Sequence, residues 1–196
     1  MKNILILFTY LFFIVSGNAQ SKQLVPGYYI FPQVGLMNGD HSVNGQIHLT
    51  GGIQKKAWMF GLGTAIDYYK IRTVPVFADV RYVFGNKRNF FSYADLGANF
   101  AWALESQYEN HYLIGVNSYT PNTFSNGLYT DVGLGYAFRG GKKGGCVISI
   151  GYSSKTVTSS YQEIVYTPFP PYTFEYYDRK KEYTFNRLVL RLGVRL

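Results

Sequence analysis

Beyond residue 20 the chain shows no apolar repeat at helical spacing over any useful length. What recurs is alternation. Segments of roughly ten residues switch between apolar and non-apolar side chains and end at turn-forming residues, the mark of a strand with two unlike faces. Eight such segments are read, at Tyr28–Met37, Val43–Ile53, Trp58–Tyr68, Val74–Phe84, Phe90–Ala103, Gly127–Phe138, Cys146–Val157 and Tyr183–Leu196. Three links between them are short: Gln54-Lys55-Lys56-Ala57, Gly85-Asn86-Lys87-Arg88-Asn89 and the Gly-rich run from Arg139 to Gly145. The links near Asn38–Ser42 and Tyr69–Thr73 are short as well, whereas Leu104–Asn126 and Thr158–Glu182 are long.

The composition of the two faces decides which way they point. In the last segment Leu188, Leu190, Leu192, Val194 and Leu196 oppose Arg187, Val189, Arg191, Gly193 and Arg195. In the fifth, Ala94, Leu96, Ala98, Phe100 and Trp102 oppose Tyr93, Asp95, Gly97, Asn99 and Ala101; the third, fourth and sixth behave alike. The less apolar faces carry Gly, Ala, Asn and single charges rather than the Lys, Glu, Gln and Thr of a solvated surface. Small residues with isolated charges suit a narrow interior filled by side chains, which is what eight strands enclose. The polarity is therefore that of a membrane barrel, apolar outside and polar inside. The expected fold is all-β: an eight-stranded antiparallel transmembrane β-barrel with short periplasmic turns and two long extracellular loops.

On the same reading Asp67, Asp79, Asp95 and Asp131 share the interior with Arg81, Arg187, Arg191 and Arg195. Buried charges persist only when paired, so these eight are expected to form an internal ion-pair network. Arg suits that role because its planar fork grips a carboxylate with two bonds.

The first stretch differs from the rest. Lys2 precedes an apolar run from Ile4 to Val15, followed by the small residues Ser16-Gly17-Asn18-Ala19. That order reads as a secretory signal peptide over residues 1–19, leaving 20–196 as the barrel. Composition agrees with an exported membrane protein. Charged residues are 15% and aromatic residues 18%, with 19 Tyr, and the single cysteine, Cys146, leaves no internal disulfide to form. Aromatic-rich, charge-poor strands fit interfacial girdles. The net charge of +8 does not imply a nucleic-acid partner, because export removes the chain from nucleic acid and many cations fall in short turns.

The ending Asn18-Ala19-Gln20, the segment Val74-Pro75-Val76-Phe77-Ala78-Asp79-Val80-Arg81-Tyr82, the segment Tyr93-Ala94-Asp95-Leu96-Gly97 and the terminal Leu190-Arg191-Leu192-Gly193-Val194-Arg195-Leu196 together resemble the small outer-membrane β-barrel domain proteins of Gram-negative bacteria. The resemblance spans essentially the whole mature chain and concerns architecture. It implies an outer-membrane location, contact with outer-membrane lipid, and insertion by the barrel-assembly machinery, which reads the last strand. Such strands often end in an aromatic residue; this one ends in Leu196.

Candidate chemistry is sparse. Asp40-His41-Ser42 holds triad residue types, but neighbours along an extended chain point apart. His48 sits among Asn44, Gln46 and Thr50 on a polar face and reads as lumen-lining, and His111 beside Glu109 reads as a solvated loop residue. Cys146 reads as a small apolar residue. No catalytic, metal or cofactor site is expected, and no enzyme. The long loop Thr158–Glu182 carries Tyr161, Tyr166, Phe169, Tyr172, Phe174, Tyr176 and Tyr177 with Pro168, Pro170 and Pro171. Tyr-rich surfaces give large contact area at low entropy cost, so this loop is a candidate for a protein partner, or else part of the outer girdle. Leu104–Asn126 has the same character. The expected role is structural or interactive, with a narrow pore for ions or small solutes and an exported, soluble lipocalin-like barrel as alternatives.

Overall fold

Long alternating segments become strands because every backbone N–H and C=O in hydrocarbon needs a partner, and a sheet supplies them all only when it closes. The computed structural model describes residues 27–39, 42–105, 110–112, 119–138, 145–167 and 173–196. Its strands, in chain order, are β1 (Gly27–Gly39), β2 (Ser42–Lys55), β3 (Trp58–Asp67), β4 (Thr73–Phe84), β5 (Phe90–Ala101), β6 (Asn110–Tyr112), β7 (Tyr119–Pro121), β8 (Thr123–Ser125), β9 (Gly127–Ala137), β10 (Gly145–Thr167) and β11 (Thr173–Arg195). Among the described residues no helix is long and apolar enough to cross a membrane. The crossing elements are strands: β3, β4, β5 and β9 hold 10 to 12 residues, close to the 9–11 that a tilted transmembrane strand needs.

The sheet runs β11-β1-β2-β3-β4-β5-β9-β10, and β10 also pairs with β11, so eight antiparallel strands close on themselves. The seam is β1 against β11, in register from Gln33↔Gly193 to Asn38↔Leu188. It is finished where Leu196 N donates to Ile30 O at 3.0 Å. Both ends of the described barrel therefore lie on one side, with the β2–β3, β4–β5 and β9–β10 turns; short turns mark the periplasmic side. The opposite, extracellular side carries the remaining connections.

Inside–outside alternation holds around the ring. In β1 the odd positions from Tyr29 to Met37 turn inward, with Tyr29, Phe31, Gln33 and Met37 buried, while Tyr28, Ile30, Val34 and Leu36 face out. Inner-face glycines make room for rings: a Cβ on Gly63 would collide with the Phe77 ring, and one on Gly135 with Phe91.

The two long connections differ in build. Leu104–Asn126 contains β6, β7 and β8, and β8 extends the sheet by pairing Thr123–Ser125 with Ser160–Thr158. Thr158–Glu182 is built as sheet rather than as an irregular loop. The β10–β11 ladder continues unbroken from Gly145↔Arg195 to Thr167↔Thr173. The reason is local. Residues 158–167 and 173–183 stay rich in Thr, Tyr, Val and Phe, residues that favour strands. The prolines that suggested a loop occupy the tip, which with Phe169 and Tyr172 lies outside the described residues. β9 leaves β10 after Lys155 and β8 after Ser160, so among the described residues the pairs from Tyr161↔Arg179 onward have no further strand in register. At about 3.4 Å per residue, their length past Ser160 is roughly 24 Å. Residues 1–26, which include the expected signal peptide, and Asp40 and His41 also lie outside the described residues.

Candidate functional site

The lumen is filled in three layers. Nearest the periplasmic mouth is an apolar plug of Tyr29, Phe31, Met59, Val83, Phe91, Tyr93 and Val147, with Ala137 packed against it. Its rings touch in sequence: Tyr29–Phe31 at 5.4 Å and Phe31–Phe91 at 6.1 Å between centroids. The Arg81 guanidinium caps the plug, 4.4 Å from the Phe31 centroid.

The middle layer is charged. Strand register sets Asp79 of β4 directly opposite Asp95 of β5, and Asp95 opposite Asp131 of β9. Three carboxylates in a row repel unless cations intervene. Arg81 Nε grips Asp79 at 3.0 and 2.9 Å while its Nη2 donates to Thr50 Oγ1 at 2.8 Å, and the Tyr29 hydroxyl donates to Asp79 at 2.8 Å. At the other end of the row Arg191 Nη2 pairs with Asp131. Its Nε donates to Gln46 Oε1 and its Nη1 to the Tyr93 hydroxyl, both at 2.8 Å. The Tyr129 hydroxyl adds a bond to Asp131 at 3.1 Å. The central Asp95 faces His48, whose Nε2 is 3.4 Å from Oδ2, within ion-pair distance but without hydrogen-bond geometry. His48 stacks on Phe77 with 5.1 Å between centroids.

The third layer lies toward the extracellular mouth and centres on Asp67. Lys155 Nζ reaches its Oδ1 at 3.0 Å and Arg187 Nη2 its Oδ2. Lys155 also donates to Ile71 O at 2.7 Å and to Thr73 Oγ1 at 3.2 Å. Arg187 donates to Ser153 Oγ at 3.2 Å. One carboxylate thus anchors two cations from β10 and β11.

Seven of the eight residues expected in the lumen are buried there: Asp67, Asp79, Arg81, Asp95, Asp131, Arg187 and Arg191. Arg195 is placed differently. It is half-buried at the periplasmic mouth and donates to Gln54 Oε1 at 2.5 Å. The fourth fully buried cation is Lys155 instead. Sequence reasoning passed over Lys155, although its position follows the inward series Ser149, Gly151, Ser153 on β10, and that spacing was the available signal. Among the described residues, four buried acids therefore meet four buried bases, with His48 in addition.

On the projecting hairpin Tyr161 is half-buried under Lys181 Nζ, 5.2 Å from its ring centroid, and Tyr177 is exposed. The Tyr177 hydroxyl donates to the Glu175 carboxylate, and that bond holds its pKa above the usual phenol value. Backbone register sets Tyr166 opposite Phe174 and Ile164 opposite Tyr176; those side chains, like that of His111, lie outside the described residues.

The exterior is the reverse of the lumen. Leu62, Leu96, Leu128, Leu134, Leu190 and Leu192 are exposed among many apolar residues on all eight barrel strands. A water-soluble domain does not leave so continuous an apolar belt uncovered, which removes the lipocalin-like alternative. Closure, a charged interior and an apolar waist together define a small β-barrel of the bacterial outer membrane. One solved structure that it resembles is the solid-state NMR structure of outer membrane protein AlkL in DMPC lipid bilayers, at 11% identity and a TM-score of 0.43, covering 91% of this chain and 93% of that one. No protein-family model and no curated protein matches the sequence.

Proposed function

We propose that this protein is a non-conducting outer-membrane barrel whose role is structural or interactive, with the β10–β11 hairpin as its contact element at the cell surface. The observation that carries the reading is the filled lumen. An apolar plug and two charged layers occupy the interior from mouth to mouth, which argues against the narrow-pore alternative, while the longest strands of the barrel are spent on a hairpin outside it. The exposed Tyr177 and the mixed charges of Glu175, Asp178, Arg179, Lys180, Lys181 and Glu182 on that hairpin suit a protein partner.

Two measurements test this. Purified barrel in a planar bilayer should show no stepwise conductance; regular unitary steps would transfer the reading to the pore. Trypsin added to intact cells should cut at Arg179, Lys180 or Lys181, leaving two fragments that stay together until boiled. Cleavage there only after the cells are permeabilised would place the hairpin on the periplasmic side and end its role as a surface element.

A further inference from the structure

The net charge is concentrated at one end of the barrel. Among the described residues every Asp and Glu lies in the lumen or on the extracellular side, whereas the described periplasmic turns carry Lys55, Lys56, Lys87 and Arg88 with no acid. The connection over residues 139–144 adds Arg139, Lys142 and Lys143 by sequence. Lys56 and Arg88 take positive φ, 59° and 51°, as does Lys70 (φ 56°) in the extracellular β3–β4 link.

Directly above the cations lies an aromatic arc over half the circumference. Ring centroids run Trp58–Tyr82 4.9 Å, Tyr82–Phe84 6.4 Å, Phe84–Phe90 5.9 Å, Phe90–Tyr136 4.8 Å and Tyr136–Phe138 4.7 Å. Where the arc meets the β4–β5 turn, an open cleft of about 440 Å³ is lined by Gly85, Asn86, Lys87, Asn89, Phe90 and Tyr136. The Asn89 Nδ2 donates to the Tyr136 hydroxyl at 3.0 Å, and the Ala137 N donates to Asn89 O at 2.7 Å, so the turn is tied to β9. Asn89 Oδ1 is buried and accepts no hydrogen bond.

We infer that this cleft binds the headgroup of an anionic glycerophospholipid of the inner leaflet. The phosphate diester lies against the Lys87–Arg88 turn, and the acyl chains run along Phe90 and Tyr136. Such a girdle sets the depth at which headgroups lie, and cations beside a membrane attract anionic lipid. The inference rests on the barrel and its orientation, and not on what the hairpin contacts.

Native mass spectrometry of the folded barrel in detergent tests it, with dioleoyl phosphatidylglycerol and dioleoyl phosphatidylcholine supplied in equal amounts. The wild type should retain the anionic lipid about tenfold over the zwitterionic one, which is ~1.4 kcal/mol. A Lys87→Ser variant should lose most of that preference while keeping an unchanged gel shift between unboiled and boiled samples, because Lys87 is an exposed turn residue. Equal retention of the two lipids, or an undiminished preference in the folded variant, would overturn the site. Displacement of the lipid by millimolar inorganic phosphate would overturn the lipid assignment in favour of a free-phosphate site. Loss of the gel shift in the wild type would instead refute the barrel itself.

Discussion

Asp67→Asn should cost this barrel more than any other single lumen substitution. The change leaves Lys155 and Arg187, both without measurable side-chain exposure, facing an amide in a closed interior. Removing one partner of a buried pair costs about 3–5 kcal/mol, and here two cations share the one carboxylate. Urea unfolding of barrel refolded in lipid vesicles should show a loss of unfolding free energy of that size and a lower midpoint, with a smaller folded fraction on an unboiled gel. Asp131→Asn should cost less, since Arg191 keeps Gln46 and the Tyr93 hydroxyl. Arg195→Gln, at the half-buried mouth, should stay within about 1 kcal/mol, as exposed pairs do. Equal effects of Asp67→Asn and Arg195→Gln would mean that the layered network contributes nothing particular.

The second large effect is expected on the outer face. Leu192 is 57% exposed on β11, in register with Val34 of β1 and Ile148 of β10, midway between Leu188 and Leu196. Leu192→Arg sets a charge at the centre of the apolar belt, at about 2–4 kcal/mol for a midplane cation, in the strand that closes the seam. Outer-membrane fractions should contain little folded protein. Its neighbour behaves differently. Arg191→Lys keeps a cation beside Asp131 but gives up the fork that also serves Gln46 and Tyr93. It should assemble, with stability lower by about 1–3 kcal/mol. If both variants reached the outer membrane equally well, the two faces would have been assigned the wrong way round.

Much of the architecture is legible in alternation alone. Leu188, Leu190 and Leu192 against Arg187 and Arg191 define both faces of β11 without any partner strand, since side chains on a strand alternate with period two. The same parity places Asp79 with Arg81, Asp95 with Tyr93 and Asp131 with Tyr129, so the lumen side of each strand could be read in advance. Parity says nothing about height within the barrel or about what lies across it. Only strand register brought Asp79, Asp95 and Asp131 into one row, and only closure brought Lys155 of β10 across to Asp67 of β3, residues separated by 88 positions. Arg195 has the parity of Arg191 but stands at the mouth, because its strand ends there.

The β10–β11 hairpin divides the same way. Its residues carry strand preference in their own composition, yet prolines and aromatics at the tip made the whole segment read as a loop. The continuous ladder from barrel to hairpin depends on two segments finding each other, and strand propensity is expressed only when a partner supplies the hydrogen bonds. The sequence by itself determined which side of each strand meets lipid, because that is a local property of alternation. The tertiary structure decided which charge neutralises which, because Coulomb pairing depends on distances that only the closed ring sets.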